Sequence, residues 1–255
     1  MSAHRPTVGL FVTCLVDTMR PSVGFAAVRL LENAGCDVVV PAGQTCCGQP
    51  ALNSGDSHDA RSIARQVVEA FANVDYVVVP SGSCAGTIKV HCPELFVDEP
   101  ETSEAVRRLA ERTWELTSFL EQVMKARVNV PFQATATYHD SCSGLRELGI
   151  RSQPRALLAG VSGLTLKELD APEVCCGFGG LFCVKYPEIS EKMVNNKADD
   201  VLATGADTLL GGDLGCLLNI AGRLHRRGAQ VRVRHVAEVL AGATDEAPPI
   251  GSVKE

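Results

Sequence analysis

Two cysteine doublets dominate the chemistry of this sequence, Cys46-Cys47 and Cys175-Cys176, each followed by a glycine, Gly48 and Gly177. Each doublet is flanked by one distant cysteine on either side: Cys14 and Cys84 around the first, Cys142 and Cys216 around the second. Four thiolates converging on one point form a soft donor set that suits iron or zinc. Neighbouring residues on a regular strand point to opposite faces, so a doublet can serve a common centre only from an irregular turn. The glycine after it supplies the backbone freedom and close approach that such a turn needs. Gly43 before the first doublet and Gly179-Gly180 after the second point the same way. Compact zinc sites pair short C-x₂₋₄-C elements, which this chain lacks. The long separations suit a larger cluster assembled from three loops, with zinc left open.

The other three cysteines read differently. Cys36 and Cys92 are assigned to the core as small apolar residues, and Cys183 lies between bystander and auxiliary ligand. Eleven cysteines, an odd number, fit complete disulfide pairing poorly. In a chain whose first residues show no export signal, thiolate–metal chemistry is the better expectation, in a cytoplasmic setting. The apolar runs are strand-length, so no transmembrane segment is expected. A net charge of −6 without a basic patch argues against nucleic acid as a partner. Beside Cys142, the His139-Asp140 pair offers a general base, against a plainer reading in which His139 bonds the backbone and Asp140 caps the next helix. Lys185 and Arg146 are cations able to hold a carboxylate. Gly211-Gly212-Asp-Leu-Gly215 follows a strand but does not match the dinucleotide fingerprint.

Positioning these residues requires an α/β framework. Short β-branched runs alternate with amphipathic stretches, predicting strands at 7–14, 37–40 and 75–79 and helices at 21–34 and 59–72. A helix-rich segment over 101–125 reads as a bridge. The pattern then restarts, with strands at 134–139, 164–169, 207–210 and 230–234 and helices at 153–159, 187–203 and 214–226, followed by a closing helix. The restart is an internal repeat: Cys14 matches Cys142, the doublets match, and Cys84 matches Cys216. Asp75 and Asp207 each stand nine residues before the last of these cysteines. The predicted organisation is therefore a first cysteine-rich repeat with its helical bridge over 1–128, a second over 129–242, and a disordered tail over 243–255. In each repeat the cysteines fall at carboxyl ends of parallel strands, where loops converge.

At these residues the sequence resembles the cysteine-rich (CCG) domain family, and within it the lactate utilization protein A group. The resemblance rests on PSGSCAG at 80–86, HDSC at 139–142, LRELGI at 145–150, CCGFGG at 175–180, KYPEIS at 185–190 and GCLLNI at 215–220. It implies a tandem, pseudo-two-fold α/β fold with short parallel sheets. Its cofactor would be an iron–sulfur cluster, [4Fe–4S] in type, with zinc as an option in one repeat. Cys14, Cys46, Cys47 and Cys84 would serve the first site, and Cys142, Cys175, Cys176 and Cys216 the second. The fuller family pattern ends each repeat in Cys-x-x-Cys, whereas Ser81 and Asp213 stand at the first of those positions here. Relatives often carry a histidine shortly after the cysteine matching Cys142, where this sequence has Ser143.

The resemblance further implies a subunit of an oxidoreductase that oxidises L-lactate to pyruvate by electron transfer. Its partners would be other subunits of a lactate-utilization complex, including a ferredoxin-like iron–sulfur protein. A heterodisulfide-reductase-like thiol–disulfide protein and a structural-zinc protein are the competing readings.

Overall fold

The computed structural model describes residues 5–252 and divides the chain into two compact units, Met1–Ala126 and Arg127–Glu255. Each unit holds one four-stranded sheet. In the first, β1 (Thr7–Leu10), β2 (Asp37–Val39), β3 (Tyr76–Val79) and β4 (Thr113–Glu115) lie in the order β2-β1-β3-β4. In the second, β5 (Val130–His139), β6 (Val161–Lys167), β7 (Thr208–Gly211) and β8 (Arg232–His235) lie in the order β6-β5-β7-β8. All pairings are parallel. The tandem α/β repeat expected from the cysteines is thus a repeat of topology. Register matches as well: Leu10 pairs with Val78 in the first unit, and the equivalent Tyr138 pairs with Leu210 in the second.

Parallel strands need long crossovers, and helices supply them. Pro21–Asn33 starts with proline at its first turn and buries Val23, Ala26, Ala27, Leu30 and Leu31 on one face. Pro187–Ala203 and Leu214–Arg226 have the bounds read from the sequence. The strands bury Val8, Leu10, Val77, Val78 and Val79 in one unit and Ala136, Tyr138, Leu209 and Leu210 in the other. Gly9 has a steric purpose: a Cβ there would lie 2.6 Å from the Phe71 ring, which instead packs against Phe11.

The aspartates that mark the repeat have a structural explanation. The Asp75 carboxylate accepts the Thr7 N–H at 2.7 Å, and Asp75 N–H donates back to the Thr7 carbonyl. In the second unit the Asp207 carboxylate accepts the Thr135 N–H, and Asp207 N–H donates to the Thr135 carbonyl. Each pair closes the pairing of the two central strands at its amino-terminal limit, at the start of β1 in the first sheet and midway along β5 in the second.

Two expectations are corrected. The segment after helix Pro100–Glu111 is no simple bridge: Thr113–Glu115 pairs with β3 and completes the first sheet. Glu115 also closes it, its carboxylate accepting the N–H groups of Thr117 and Ser118 at the start of the next helix. The tail is ordered as far as it is described. Ile250 is buried and its N–H donates to Val233, while Arg234 holds the Ala247 carbonyl. An apolar anchor plus backbone pairing to β8 outweighs the polar composition that suggested disorder; residues 253–255 lie outside the described residues. Among the described residues, no helix is long and apolar enough to cross a membrane.

The clamps predict a measurable cost. Asp207→Ala should lower stability by about 1 kcal/mol, one net hydrogen-bonding group, read as a reduced urea midpoint with unchanged metal content. Burial pushes this carboxyl up, but Thr208, Arg232 and the Thr135 N–H outweigh it and hold it below the usual range. The gap between wild type and variant should therefore be full above the ordinary aspartate range and close as pH falls through the depressed value. A gap that widens toward acid would refute the clamp.

Candidate metal centre

In each sheet the chain turns one way after the first strand and the other way after the third, so the crevice beyond β1 and β3, or β5 and β7, is a topological switch point. The cysteines gather there. Cys14 opens the short helix Cys14–Met19 directly after β1, and Cys142 opens Cys142–Leu148 directly after β5. Cys84 lies in the first turn of Gly82–Gly86 after β3, and Cys216 in the first turn of Leu214–Arg226 after β7. Free N–H groups at helix starts favour thiolate over thiol.

The doublets come in from the side. In the first unit Cys46 hydrogen-bonds both Cys14 and Cys47, and Cys47 hydrogen-bonds Cys84. In the second, Cys175 contacts Cys142 and Cys176, and Cys176 contacts Cys216. The Sγ atoms of Cys142 and Cys175 are 3.9 Å apart. All eight of these cysteines are free thiols. The same order of sulfurs, first cysteine to doublet to last cysteine, recurs in both halves.

Local structure explains the doublet turns. Gly48 and Gly177 adopt φ of 88° and 81°, the left-handed region expected from the sequence. This conformation aims the Gly48 N–H at Cys46 Sγ (3.5 Å) and the Gly177 N–H at Cys175 Sγ (3.4 Å). Gln44 fixes the approach to the first doublet, accepting the Val12 N–H and donating to the Leu10 carbonyl at the end of β1. In the second half Asn219 donates to the Cys176 carbonyl and Ser190 to that of Gly177. Lys197, wholly buried, donates to the Ala171 carbonyl at 2.7 Å and pairs with Asp200, which itself accepts the N–H groups of Asp170 and Ala171. Lys197 thereby anchors the loop that leads into the doublet. Thr13, immediately before Cys14, is a β-branched residue at φ 67°, a strained conformation held at the site.

The sulfurs also polarise one another. Cys46 is pulled far below the ordinary thiol range by hydrogen bonds from Cys14 and Cys47 and by the Gly48 N–H. Cys175 is pulled down in the same way by Cys142, Cys176 and the Gly177 N–H. The donors to these thiolates are correspondingly pushed up: Cys14 and Cys47 in one half, Cys142 and Cys176 in the other. Cys216 is also raised, its hydrogen bond with Cys176 lowering it against burial and the nearby Asp213 charge.

The remaining cysteines stand apart. Cys92 packs with Ala64, Phe96 and Val106, and Cys36 is fully buried. The Cys183 thiol donates to the Gly180 carbonyl at 3.2 Å. Ser81 and Asp213, at the positions where a further cysteine would fall, both stand immediately before a helix. The Ser81 hydroxyl accepts the Cys84 N–H, whereas Asp213 brings a buried carboxylate whose charge acts on Cys142 and Cys216.

Both parts of the plainer reading of His139-Asp140 are corrected. Asp140 does not cap; it is buried and bound by both terminal nitrogens of Arg155 at 2.9 and 2.8 Å, while Ser141 caps the helix. Nor does His139 bond the backbone. It ends β5, is 1% exposed, and has no hydrogen-bond partner on either ring nitrogen. Burial pushes its imidazole down to about 4, with Lys197 acting in the same direction against Asp213 and Cys175, so it is neutral near pH 7. One ring nitrogen and the sulfurs of Cys176 and Cys216 lie within 4.8 Å of one another. Arg146 is tied to the Glu173 carbonyl, and Lys185 is exposed at the end of Phe182–Lys185.

Comparison with known proteins is decisive at this point. The family model for the cysteine-rich domain (CCG) matches residues 8–89 and 136–221, one match for each half. The chain belongs to the cysteine-rich domain family. Within that family it falls in the lactate utilization protein A group. It is 49% identical over 234 residues to lactate utilization protein A of Bacillus cytotoxicus, covering 91% of this chain and 98% of that one. The Bacillus subtilis protein of the same name is 48% identical with the same coverage. That of Halalkalibacterium halodurans is 49% identical, over 91% of this chain and 96% of that one. A solved structure of a hypothetical protein from Helicobacter pylori shares the fold, with a TM-score of 0.63 at 14% identity. It is matched over 96% of this chain and 50% of its own length.

The donor chemistry fits a bound metal: soft sulfurs, with Cys47, Cys176 and Cys216 buried, N–H groups aimed at Cys46 and Cys175, and no disulfide among them. Two predictions follow from the geometry. Gly177→Ala should impair metal loading and stability more than Gly48→Ala. Both variants strain a left-handed residue, by about 1–2 kcal/mol. Only at Gly177 would the new Cβ meet backbone, 2.7 Å from the Ser190 carbonyl oxygen and 2.9 Å from Met193 Cβ. Metal content and denaturation midpoints measure the difference, and equal losses would contradict it. The raised thiols must each lose a proton on binding, so apo-protein affinity for Zn²⁺ should rise steadily between about pH 6 and 8. Competition with a chromophoric chelator reads this; a flat profile would contradict the thiol assignments.

Proposed function

We propose that the chain is the iron–sulfur-binding subunit of a lactate-utilization oxidoreductase, working in the oxidation of L-lactate to pyruvate. The observation that carries this is the duplicated four-thiol site at the switch point of each sheet. Its support is a similarity of 47–49% to proteins named lactate utilization protein A, spanning nearly their whole length.

Cys14, Cys46, Cys47 and Cys84 would hold one cofactor, and Cys142, Cys175, Cys176 and Cys216 the other. A bound [4Fe–4S] cluster would supply one-electron redox chemistry, its potential set by hydrogen bonds to sulfur and by burial. Removing two electrons and two protons from the 2-hydroxy acid gives the 2-oxo acid, so electrons must leave the chain toward another redox protein. A ferredoxin-like iron–sulfur partner in a multi-subunit complex suits that need. The protein's own residues tune the sites. The Gly48 and Gly177 N–H groups, and that of Phe178 toward Cys176 Sγ, stabilise negative sulfur. Burial of Cys47, Cys176 and Cys216 excludes water. Lys185, exposed near the second site in sequence, is a cation available to a carboxylate substrate. The chain's place in the cell follows the reducing conditions that free thiols require, and we assign it to the cytoplasm.

Anaerobically purified protein should contain iron and acid-labile sulfide and give an EPR signal in one oxidation state. Cys47→Ser and Cys176→Ser should each remove the contribution of their own half and leave the other. Zinc without sulfide would replace this reading with a structural-zinc protein. Turnover of a mixed disulfide in preference to lactate would move it to thiol–disulfide chemistry.

A further inference from the structure

The two halves match in topology and in sulfur order, and besides Ser81 and Asp213 they differ at a position three residues before the first cysteine of each site. Cys14 and Cys142 are equivalent, and three residues before each stand Phe11 and His139. Strand pairing confirms the match: Phe11 follows the Leu10–Val78 pair, and His139 follows the Tyr138–Leu210 pair. Phe11 behaves as a core residue, fully buried with its ring 5.7 Å from that of Phe71.

At the equivalent place His139 is as buried as Phe11, and an imidazole there is costly. A buried polar group left without a partner typically costs on the order of 1–3 kcal/mol, and both ring nitrogens are in that condition. A phenylalanine would have filled the space, as it does in the first half. The neighbours that the ring does face are sulfurs. One nitrogen and the Cys176 and Cys216 Sγ atoms lie within 4.8 Å of one another; the two sulfurs hydrogen-bond each other, but the imidazole hydrogen-bonds neither. Two paired sulfurs beside an imidazole nitrogen bonded to neither is an arrangement that a metal atom between them completes. Imidazole joins thiolates readily as a ligand to iron.

We infer that the second half offers five donors to its cofactor, the His139 imidazole joining Cys142, Cys175, Cys176 and Cys216, whereas the first half offers four thiolates. This rests on the iron–sulfur reading above and adds a nitrogen ligand and an inequality between the two sites. A neutral imidazole as the fifth donor gives a cluster a higher potential than a fifth thiolate at that position would.

The test needs no turnover. Protein carrying ¹⁵N-histidine is prepared anaerobically, as wild type and as Cys47→Ser to leave the second site alone, and reduced for pulsed EPR. A strong ¹⁵N hyperfine coupling, of the size given by directly bound imidazole, is expected in both. His139→Phe, which copies the first half, should abolish that coupling and lower iron per chain. His139→Cys keeps a donor and should retain iron while abolishing the coupling and lowering the midpoint potential of the second site. A cluster signal with only the weak coupling of a hydrogen-bonded imidazole overturns the inference and leaves the iron–sulfur reading standing. So does a cluster confined to the first half. Absence of iron and sulfide from both halves overturns both.

Discussion

Everything at the sulfur sites depends on the parallel pairing of the two central strands in each sheet. Cys14 and Cys84 are separated by most of the first unit, yet each follows a strand that is hydrogen-bonded to the other's. Once Leu10 pairs with Val78, the loops beyond them leave the sheet side by side. The same holds for Tyr138 with Leu210. A slip of one residue would turn every side chain to the opposite face, and the aspartate clamps where each pairing begins oppose it. The doublet loops then need only reach a point that is already defined. They are held there by side chains outside the sulfur set: Gln44 in one half, and Asn219, Ser190 and Lys197 in the other.

The doublets, their glycines and the repeat were legible in the sequence because they are matters of residue type and spacing. Asp75 and Asp207 were visible as a coincidence whose reason, a backbone clamp, required coordinates. β4 was not legible: three residues, Thr-Trp-Glu, lie directly after a helix and carry no alternation long enough to mark a strand. Glu115 even reads as solvent-facing, although it is buried as a helix cap. Lys197 left a faint signal, a lysine on the helix face shared by Val194, Ala198 and Val201. The tail misled because composition hides a single apolar anchor, Ile250. For His139 the sequence showed proximity to Cys142 but not direction. Only the strand register shows that it points inward, where the first half has phenylalanine.

The halves are thus alike in frame and unlike in charge. Around the first doublet the departures from a fuller cysteine set are neutral, Ser81 serving as a cap. Around the second, Asp213 adds a buried carboxylate and His139 a buried imidazole. Duplication supplied two copies of one scaffold, and substitutions beside the sulfurs gave each copy its own electrostatic surroundings without disturbing strand order or register.

The aspartate clamps also bear on the order in which such a protein can be built. They lie at the end of each sheet opposite the thiols, and the aromatic and aliphatic core between owes nothing to the doublets. Small zinc domains have no fold until their metal arrives; here the two sheets rest on backbone pairing and core packing that involve no sulfur site. The strand frame therefore makes no demand on the thiols, which leaves both sets to the cofactor proposed above. Loading of that cofactor would be governed by access to the switch-point crevice, at whose edge Cys14 is exposed.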